Sequence, residues 1–403
     1  MERNLPQSRG KPVPIQPEAV VQGGVLTSTK VVVLGQHVDL NTPARHVSNK
    51  VMGQQVAEAK KCRIKEQKSM SVHSQVQVHS QLQVHLMAAL EVNKRSQVPL
   101  LSRAPTPIKV PILLKWLQHY PKVKERDILA KGFSQGFKLG YRGPRCPRES
   151  ECLKSASKNV SAAWNKVYKE ISLGRIVGPF STPPLATLQC SPIGVIPKRQ
   201  PGEWRLITHL SFPHGESIND GIPEEICSVK YLSFDNAVDL VVKHGKGAWL
   251  AKTDIKSAFR LLPIYPGDFD LLGFKFQGFY FIDKCLPMGA SRSCALFETF
   301  STFLEFQAKK VTKSAAICHY LDDFLFISGE GRTACCELLS SFQEMCAELG
   351  VPLAPEKTEG PNVVLTFLGL EIDSVQQLVR VPQDKMVALF KLLQQVYIVR
   401  GII

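Results

Sequence analysis

The amino-acid sequence predicts an α+β fold, because strand-like and helix-like segments alternate from Cys190 to the end of the chain. The runs PIGVIPK and EWRLITH are joined by the turn sequence RQPGE, which indicates an antiparallel hairpin. A second hairpin is indicated by AAICHY and FLFIS, two apolar runs that flank a pair of aspartates. Amphipathic stretches such as RTACCELLSSFQEMCAEL, which stops at Gly350, indicate helices that pack on these strands.

Before Cys190 the sequence predicts helices. ILLKWLQHYP is amphipathic and is stopped by Pro121, and ERDILAKGFSQGFKLGYRG is a second helix. A third helix covers Asn159 to Leu173 and ends at Gly174. The Pro-rich bend GPFSTPP then separates this helical part from the strands.

The remaining elements follow in chain order. GAWLAKTDI is a strand, FDLLGFKF and FYFIDK form a hairpin around Gln277 and Gly278, and SRSCALFETFSTFLEFQ is a helix. After the aspartate hairpin and its helix, LTFLGLEID and LVRVP are predicted to be a last strand pair. DKMVALFKLLQQVYIV is predicted to be a helix that runs to the chain end.

The charge of the 403-residue chain is unevenly distributed. The formal net charge is +15, and residues 1–160 alone contain 26 Lys and Arg against 10 Asp and Glu. A basic arm that binds a polyanion explains this excess, and a solvated disordered tail explains it equally well. Residues 1–105 are of low complexity, so we expect them to be mostly disordered. The repeat at 72–86 places His73, His79 and His85 six residues apart, but no carboxylate or thiol accompanies them, which disfavours a metal site.

The cysteines and the apolar runs indicate the compartment. Eleven cysteines occur without a CxxC pair or a zinc-like spacing, which is typical of a reduced, intracellular setting in the cytoplasm or the nucleus. No uninterrupted apolar run approaches the roughly 18 residues of a membrane span, so no membrane partner is expected. The N-terminus has no apolar core of a secretion signal, so secretion is not expected either.

Three aspartates are the candidate catalytic group. Asp254 closes the strand GAWLAKTD, and Asp322 and Asp323 lie at the tip of the second hairpin. Adjacent carboxylates repel each other unless a cation joins them, and hard divalent cations prefer carboxylate oxygens. Two such cations activate a hydroxyl nucleophile and stabilise the leaving oxygen in phosphoryl transfer. A DD pair by itself is more often a solvated turn, so the neighbouring motifs decide the interpretation.

Five motifs between Pro192 and Val381 resemble those of reverse transcriptases, in the same order: AKTDIKSAF, LPMGASRSCALF, YLDDF, APEKT and FLGLEI. SPIGVIPKRQPGEWRLITHLSFPHGESINDGIP is most similar to retrotransposons of the tyrosine-recombinase (DIRS-like) group. The stretch around GFSQGFKLGYRG resembles the segment that precedes the polymerase in those elements. The resemblance implies a right-hand polymerase with fingers, a palm built on an antiparallel sheet, and a largely disordered N-terminal region.

The resemblance also implies a domain order. After the arm at 1–105, a helical pre-polymerase segment and linker would occupy 106–180, and the fingers and palm would occupy 181–381. The start of a thumb helix would lie at 382–403, and we expect this thumb to be truncated because the sequence ends within it. A ribonuclease H domain in a longer polyprotein remains open.

The implied catalytic roles fall on five residues. Two Mg²⁺ ions, with Mn²⁺ as a substitute, would be held by Asp254, Asp322 and the carbonyl of Ile255. Asp323 would support this site, and Lys357 would protonate the leaving pyrophosphate. The alternative for Lys357 is an ordinary exposed loop lysine.

The implied substrate contacts lie on other motifs. Lys198 and Arg205 would hold the triphosphate of a dNTP, or they are exposed hairpin charges, with Arg199 able to replace Lys198. Phe259 would be the steric gate that rejects a 2′-hydroxyl, or it is a core aromatic. Further contacts with the nucleotide are assigned to Met288 and Gly289. Leu368 and Gly369 would form the primer-grip hairpin, where the glycine lets the nucleic-acid backbone approach closely.

Two departures and two alternative functions stay open. Met288 stands where many reverse transcriptases have Gln or Phe, and His209 stands where retroviral enzymes have Asp. The favoured function is an RNA-directed DNA polymerase, a nucleotidyltransferase. The first alternative is a catalytically weak or inactive fragment that binds nucleic acid without polymerising. An RNA-dependent RNA polymerase is the second, disfavoured because Phe259 would exclude ribonucleotides.

Overall fold

The computed structural model of the chain describes residues 101–198 and 200–399. The basic arm, the histidine repeat at 72–86 and Arg199 lie outside the described residues. The helices are α1 (Val110–Leu117), α2 (Val123–Gln135), α3 (Lys154–Lys158), α4 (Val160–Ser172), α5 (Phe234–Lys243), α6 (Ser293–Thr312), α7 (Arg332–Leu349) and α8 (Gln383–Val399). Helices and antiparallel sheets mix along the chain, which confirms the predicted α+β class.

The strands of the described part form small antiparallel sheets. They are β1 (Ile176–Phe180), β2 (Ile193–Pro197), β3 (Trp204–Thr208), β4 (Trp249–Asp254), β5 (Gly273–Phe276), β6 (Phe279–Asp283), β7 (Ile317–Tyr320), β8 (Asp323–Ser328), β9 (Glu359–Asn362), β10 (Val364–Phe367), β11 (Leu370–Asp373) and β12 (Leu378–Arg380). The sheet orders are β7-β8-β4-β9, β1-β6-β5, β10-β11-β12 and β2-β3.

The sheet β7-β8-β4-β9, which the sequence predicts to be the palm, carries the predicted carboxylates at its edge. Its central strands β4 and β8 pair in unbroken antiparallel register from Trp249 opposite Ser328 to Asp254 opposite Asp323. Helices α6 and α7 cover one face, and aromatic side chains such as Phe324, Phe326 and Phe342 are fully buried there. Buried apolar area stabilises this layer by about 25 cal/mol per Å², so the sheet is a rigid support for the residues at its edge.

The predicted fingers region contains β2 and β3 with α4 packed on them. Trp164, Val167 and Ile171 of α4 share one buried cluster with Ile193 and Val195 of β2. Burial along β2 falls from its first residues to its last, so the far end of this hairpin is exposed. The pairing of PIGVIPK with EWRLITH is thereby confirmed.

Some predicted elements differ in the structure. The second helix ends at Gln135 and does not reach Gly143, because Gly136 adopts a φ of +103° and Phe137 pairs with the chain at Ile264 instead. LTFLGLEID is two strands, since Leu368 and Gly369 both have positive φ and reverse the chain. The first three residues of FDLLGFKF belong to the 3₁₀ turn Pro266–Leu271, and β5 begins only at Gly273.

Other elements were not predicted from the sequence at all. The bend GPFSTPP begins inside β1, which pairs with β6. Helix α5 and strand β9 were also missed. None of the helices in the described part of the chain combines the length and apolar character that a bilayer crossing requires.

Candidate active site

The palm register brings the three aspartates to one edge of the sheet. Asp254 ends β4 and lies directly opposite Asp323, the first residue of β8. Asp322 precedes Asp323 in the tight turn after β7, where Leu321 adopts a left-handed φ of +53°. The Ile255 N–H donates to the carbonyl of Asp322 at 3.0 Å, so the hairpin tip is attached to the residue that follows Asp254.

A lysine completes this group from another segment. Lys357 Nζ lies 2.6 Å from Asp254 Oδ2, although the two residues are 103 positions apart. The segment before Lys357 is held by the same strand, because the Ala354 N–H donates to the Asp254 carbonyl at 2.9 Å. Burial alone would lower the pKa of Lys357, but the hydrogen bond and charge of Asp254 raise it above its ordinary value. Lys357 is therefore held in its charged form beside Asp254.

Burial and mutual repulsion perturb the two hairpin carboxylates. Burial raises the pKa of Asp322, and the charge of Asp254 raises it further. The pKa of Asp323 rises to about 6, first because the side chain is buried and then because of the charges of Asp322 and Asp254. The cluster thus holds more negative charge than its surroundings stabilise, which favours binding of a cation.

The donor set is of the type that Mg²⁺ binds. Carboxylate oxygens of Asp254 and Asp322 and the backbone carbonyl of Ile255 are hard oxygen ligands. In the described part of the chain no three His, Cys, Asp or Glu side chains already form a group that could hold a metal ion. Because Asp254 Oδ2 is bonded to Lys357, a cation at this oxygen would require the ammonium to move aside.

A half-buried amide holds the loop that carries Met288 and Gly289. Asn219 donates from Nδ2 to the Gly289 carbonyl at 2.8 Å and accepts from the Ser291 N–H at 2.9 Å. The carbonyl of Thr208 lies so close to Gly289 that an added Cβ would clash with it, which explains the glycine. Met288 is 46% exposed and is free to contact a ligand.

Phe259 lies in the 3₁₀ turn Ala258–Leu261, soon after Asp254. It is half-buried and meets Phe297 of α6 edge-on, with 5.3 Å between ring centroids. One side of the ring is therefore fixed by the core, and the exposed part is available to a ligand.

The cations of the fingers hairpin are less constrained than the palm acids. Lys198 Nζ pairs with Glu203 of the same hairpin at 2.7 Å, and both side chains are largely exposed. Arg205 is exposed, and its charge lowers the pKa of Asp322, which places it within electrostatic reach of the carboxylates.

The turn between β10 and β11 shares a cavity with Asp323. Leu368 and Gly369 have φ of +47° and +84°, as a two-residue hairpin turn requires. A cavity of about 460 Å³ extends from Asp323 to this turn. Its lining includes Lys252 and Lys385.

Several residues of this region were missed by sequence reasoning. Lys252 donates to the Thr366 carbonyl at 2.7 Å and pairs with Glu359, and Lys385 donates to the Gly369 carbonyl at 2.6 Å. The position of Lys252, two residues before Asp254 in a strand, was a usable signal because side chains alternate between faces. Lys385 and Asn219 carried no such local signal.

A family match adds to the fold and the site. Residues 196–372 match the family model described as reverse transcriptase (RNA-dependent DNA polymerase). This part of the chain is therefore similar to a reverse transcriptase domain. No match was found among the curated proteins.

Solved structures of foamy virus proteins are similar to the chain. The native prototype foamy virus protease–reverse transcriptase matches with 18% identity and a TM-score of 0.42, over 60% of this chain and 28% of that one. The foamy viral protease–reverse transcriptase in complex with an RNA/DNA hybrid matches with 17% identity and a TM-score of 0.46, over 70% and 37%. Its dRH form with double-stranded DNA matches with 17% identity and a TM-score of 0.45, over 66% and 46%. The chain spans less than half the length of each.

Proposed function

We propose that the chain is an RNA-directed DNA polymerase that adds dNTPs to a primer 3′-hydroxyl by a two-metal mechanism. The observation that carries this proposal is the register of the palm sheet, which sets Asp254 against Asp323 with Asp322 beside them. The family match over residues 196–372 supports it. An acidic cluster between a basic hairpin and a glycine turn suits a reaction that joins an anionic nucleotide to a nucleic-acid end.

The palm residues act by position and charge. Asp254, Asp322 and the Ile255 carbonyl would hold Mg²⁺, or Mn²⁺, which makes the primer hydroxyl a better nucleophile and neutralises the leaving pyrophosphate. Asp323 keeps the local field negative, and Lys357, released from Asp254, donates a proton to the leaving group. Rigid carboxylates reduce the reorganisation that the transition state requires.

The other residues select and orient the substrates. Arg205 and Lys198 bind the triphosphate, and the guanidinium does so with two parallel hydrogen bonds. Met288 and Gly289 form the loop against which the nucleotide rests, and the fixed ring of Phe259 excludes a 2′-hydroxyl. Leu368 and Gly369 approach the template-primer backbone across the cavity beside Asp323.

The proposal extends to origin and context. The similarity of residues 191–223 to DIRS-like sequences supports derivation from a retrotransposon of the tyrosine-recombinase group. We place its action inside the cell, with a ribonuclease H domain as a partner in a longer polyprotein. The thiols of the described residues are free, which suits a reducing compartment.

Primer extension on an RNA template tests the function. We expect Mg²⁺-dependent extension by the wild-type chain, loss of it in Asp322→Asn, and full activity in Asp239→Asn, an exposed aspartate of α5. Equal primer extension by Asp322→Asn and wild type would contradict the assignment of Asp322 to the catalytic site.

A silent wild-type chain is resolved by binding measurements. Mg²⁺-dependent dNTP binding that Asp254→Asn abolishes supports the enzyme. Salt-sensitive RNA binding that maps only to residues 1–160, without dNTP binding, supports a protein that binds nucleic acid and does not polymerise.

A further inference from the structure

A buried histidine lies directly behind the carboxylate hairpin. His319 of β7 is 5% exposed and lies opposite Phe324 in the hairpin register. Its ring stacks on Phe324, with 5.2 Å between centroids and 21° between planes. Phe324 follows Asp323 directly, so the imidazole is one layer away from the carboxylate edge.

Both ring nitrogens of His319 meet carboxylates of α6. Nε2 lies 3.1 Å from Glu298 Oε1, and Nδ1 contacts Glu305 Oε2 at short hydrogen-bonding distance. A carboxylate only accepts, so both nitrogens must carry a proton, and only the imidazolium form meets that requirement. The geometry therefore defines a cation under the hairpin.

The charges of this cluster balance only with a protonated histidine. Glu305 also pairs with Lys309 Nζ at 2.5 Å, so two carboxylates face two cations. Within the described part of the chain, Glu298 Oε2 is buried without a hydrogen-bond partner, which leaves His319 as the cation that compensates Glu298. A neutral imidazole would leave one buried negative charge uncompensated, and such a charge is strongly destabilising.

The titratable side chains on the other elements packed against this cluster do not supply a cation in addition to His319 and Lys309. Tyr120, after α1, lies near Glu305, and Tyr231, before α5, lies near Glu298. Burial raises the pKa of both phenols and of the Cys318 thiol on β7, so all three stay neutral near pH 7.

Helix α6 connects this cluster to the nucleotide loop. It begins at Ser293, directly after the loop that carries Met288 and Gly289, and Ser293 Oγ donates to the Pro287 carbonyl at 2.6 Å. The same helix therefore carries Glu298 and Glu305 and anchors the loop at its N-terminus. A bond from His319 to this helix fixes the distance between the loop and the carboxylates.

We propose that His319 is a positioning residue for polymerisation, whose imidazolium locks the Asp322–Asp323 hairpin to helix α6 through Glu298 and Glu305. Its kinetic consequences rest on the proposed function. The residue touches no substrate; it acts by holding the metal-binding carboxylates at a fixed distance from the nucleotide loop.

The test uses matched variants of the full chain. His319→Gln removes the cation but keeps one amide donor, and the pair His319→Gln with Glu298→Gln removes one charge of each sign. His119→Gln, an exposed histidine after α1, is the control. Each protein is titrated with Mn²⁺ alone, followed by its electron paramagnetic resonance, and assayed for primer extension between pH 6 and 10.

We expect Mn²⁺ affinity to fall about tenfold in His319→Gln, as when a supporting partner of metal ligands is lost. The paired variant should recover to within about threefold, because its cluster is again neutral, and the control should match wild type. In wild type kcat should decline near pH 9, with KM for the primer unchanged, and the paired variant should lack that decline.

Two results would overturn the proposal. One is wild-type Mn²⁺ affinity in His319→Gln, and the other is nitrogen chemical shifts of a neutral His319 ring at pH 7. Neither depends on turnover. If wild type binds Mn²⁺ but does not extend a primer, the proposed function fails while the positioning role is still decided by these measurements.

Discussion

The palm hairpin β7–β8 and the fingers hairpin β2–β3 are similar in length, but they differ in how firmly the surrounding structure holds their tips. The tip of the palm hairpin is hydrogen-bonded to Ile255, the residue that follows β4, and is backed by buried aromatics. Beyond the paired strands, the end of the fingers hairpin is closed by its own ion pair, Lys198 with Glu203, in solvent. We therefore expect the carboxylates of the palm hairpin to be fixed before substrate binds, and the exposed cations of the fingers hairpin to be ordered when it binds. We expect palm changes to affect kcat or stability, and fingers changes to affect KM.

The largest effect is expected at the palm acid. Asp254→Asn removes a proposed metal ligand and the partner of Lys357, so kcat should fall by about a thousandfold or more, about 4 kcal/mol of transition-state stabilisation. Steady-state primer extension measures it, with Asp239→Asn as the control. A change confined to KM would contradict the expected contrast, in which palm substitutions lower kcat and fingers substitutions raise KM.

The buried imidazolium predicts a pH-dependent stability. Burial opposes protonation of His319, but hydrogen bonds from the ring to Glu298 and Glu305 raise its pKa from 6.5 to about 9. Because the pKa of His319 is higher in the folded chain than in the unfolded chain, its protonation stabilises the fold fully below pH 6.5. This contribution is lost as the pH rises to about 9. The free energy of unfolding should therefore fall by about 3 kcal/mol over that window.

Urea unfolding at several pH values checks this expectation. The dependence should be much weaker in His319→Gln and unchanged in His119→Gln. A wild-type stability that is flat between pH 6.5 and 9 contradicts a charged His319.

The gate residue is expected to change selectivity more than rate. Phe259→Val shortens the exposed ring edge, so ribonucleotide use relative to deoxynucleotide use should rise by about a hundredfold. Competition between dNTP and rNTP in single-nucleotide extension measures it. Phe279→Val, at a half-buried phenylalanine of β6, should leave the ratio unchanged.

The fingers cations should show the KM effect. Arg205→Gln should raise KM for dNTP by about thirtyfold, about 2 kcal/mol for a charged hydrogen bond. Lys198→Gln should raise it by only about threefold, because Glu203 competes for the ammonium in solvent. Lys243→Gln, on the exposed side of α5, is the control. A large loss of kcat in Arg205→Gln would show that the fingers are as preorganised as the palm.

The smallest effect is expected at the β10–β11 turn. Gly369→Ala places a Cβ at φ +84° against Lys385 Nζ and should cost about 1 kcal/mol of stability. Gly215→Ala is matched, because Gly215 has the same φ and open space around its Cβ position. The midpoint temperature of thermal unfolding should fall equally in both variants. Only Gly369→Ala should raise KM for the primer. Equal KM values in Gly369→Ala and Gly215→Ala would show that the β10–β11 turn does not contact the primer.

Local sequence patterns predicted much of the fold but not all of it. Hairpins with short turns and helices with clear stops, such as the one that ends at Gly350, were predicted because their signals are contained in a few neighbouring residues. Helix α5 was missed, and strand β9 was missed because it is a strand only by pairing with β4. The run LTFLGLEID was predicted as one strand, whereas the resemblance implied the hairpin at Leu368 and Gly369 that the structure shows.

By itself the sequence determined which acids form the candidate site, because motif order and the strand ends around Asp254 and Asp322 are local properties. It also indicated that a cation must join them, from like charges at one hairpin tip. Only the tertiary structure decided that Asp254 faces Asp323, that Lys357 reaches Asp254, and that His319 is protonated between two glutamates of α6. These contacts join residues far apart in the chain, and packing rather than propensity brings them together.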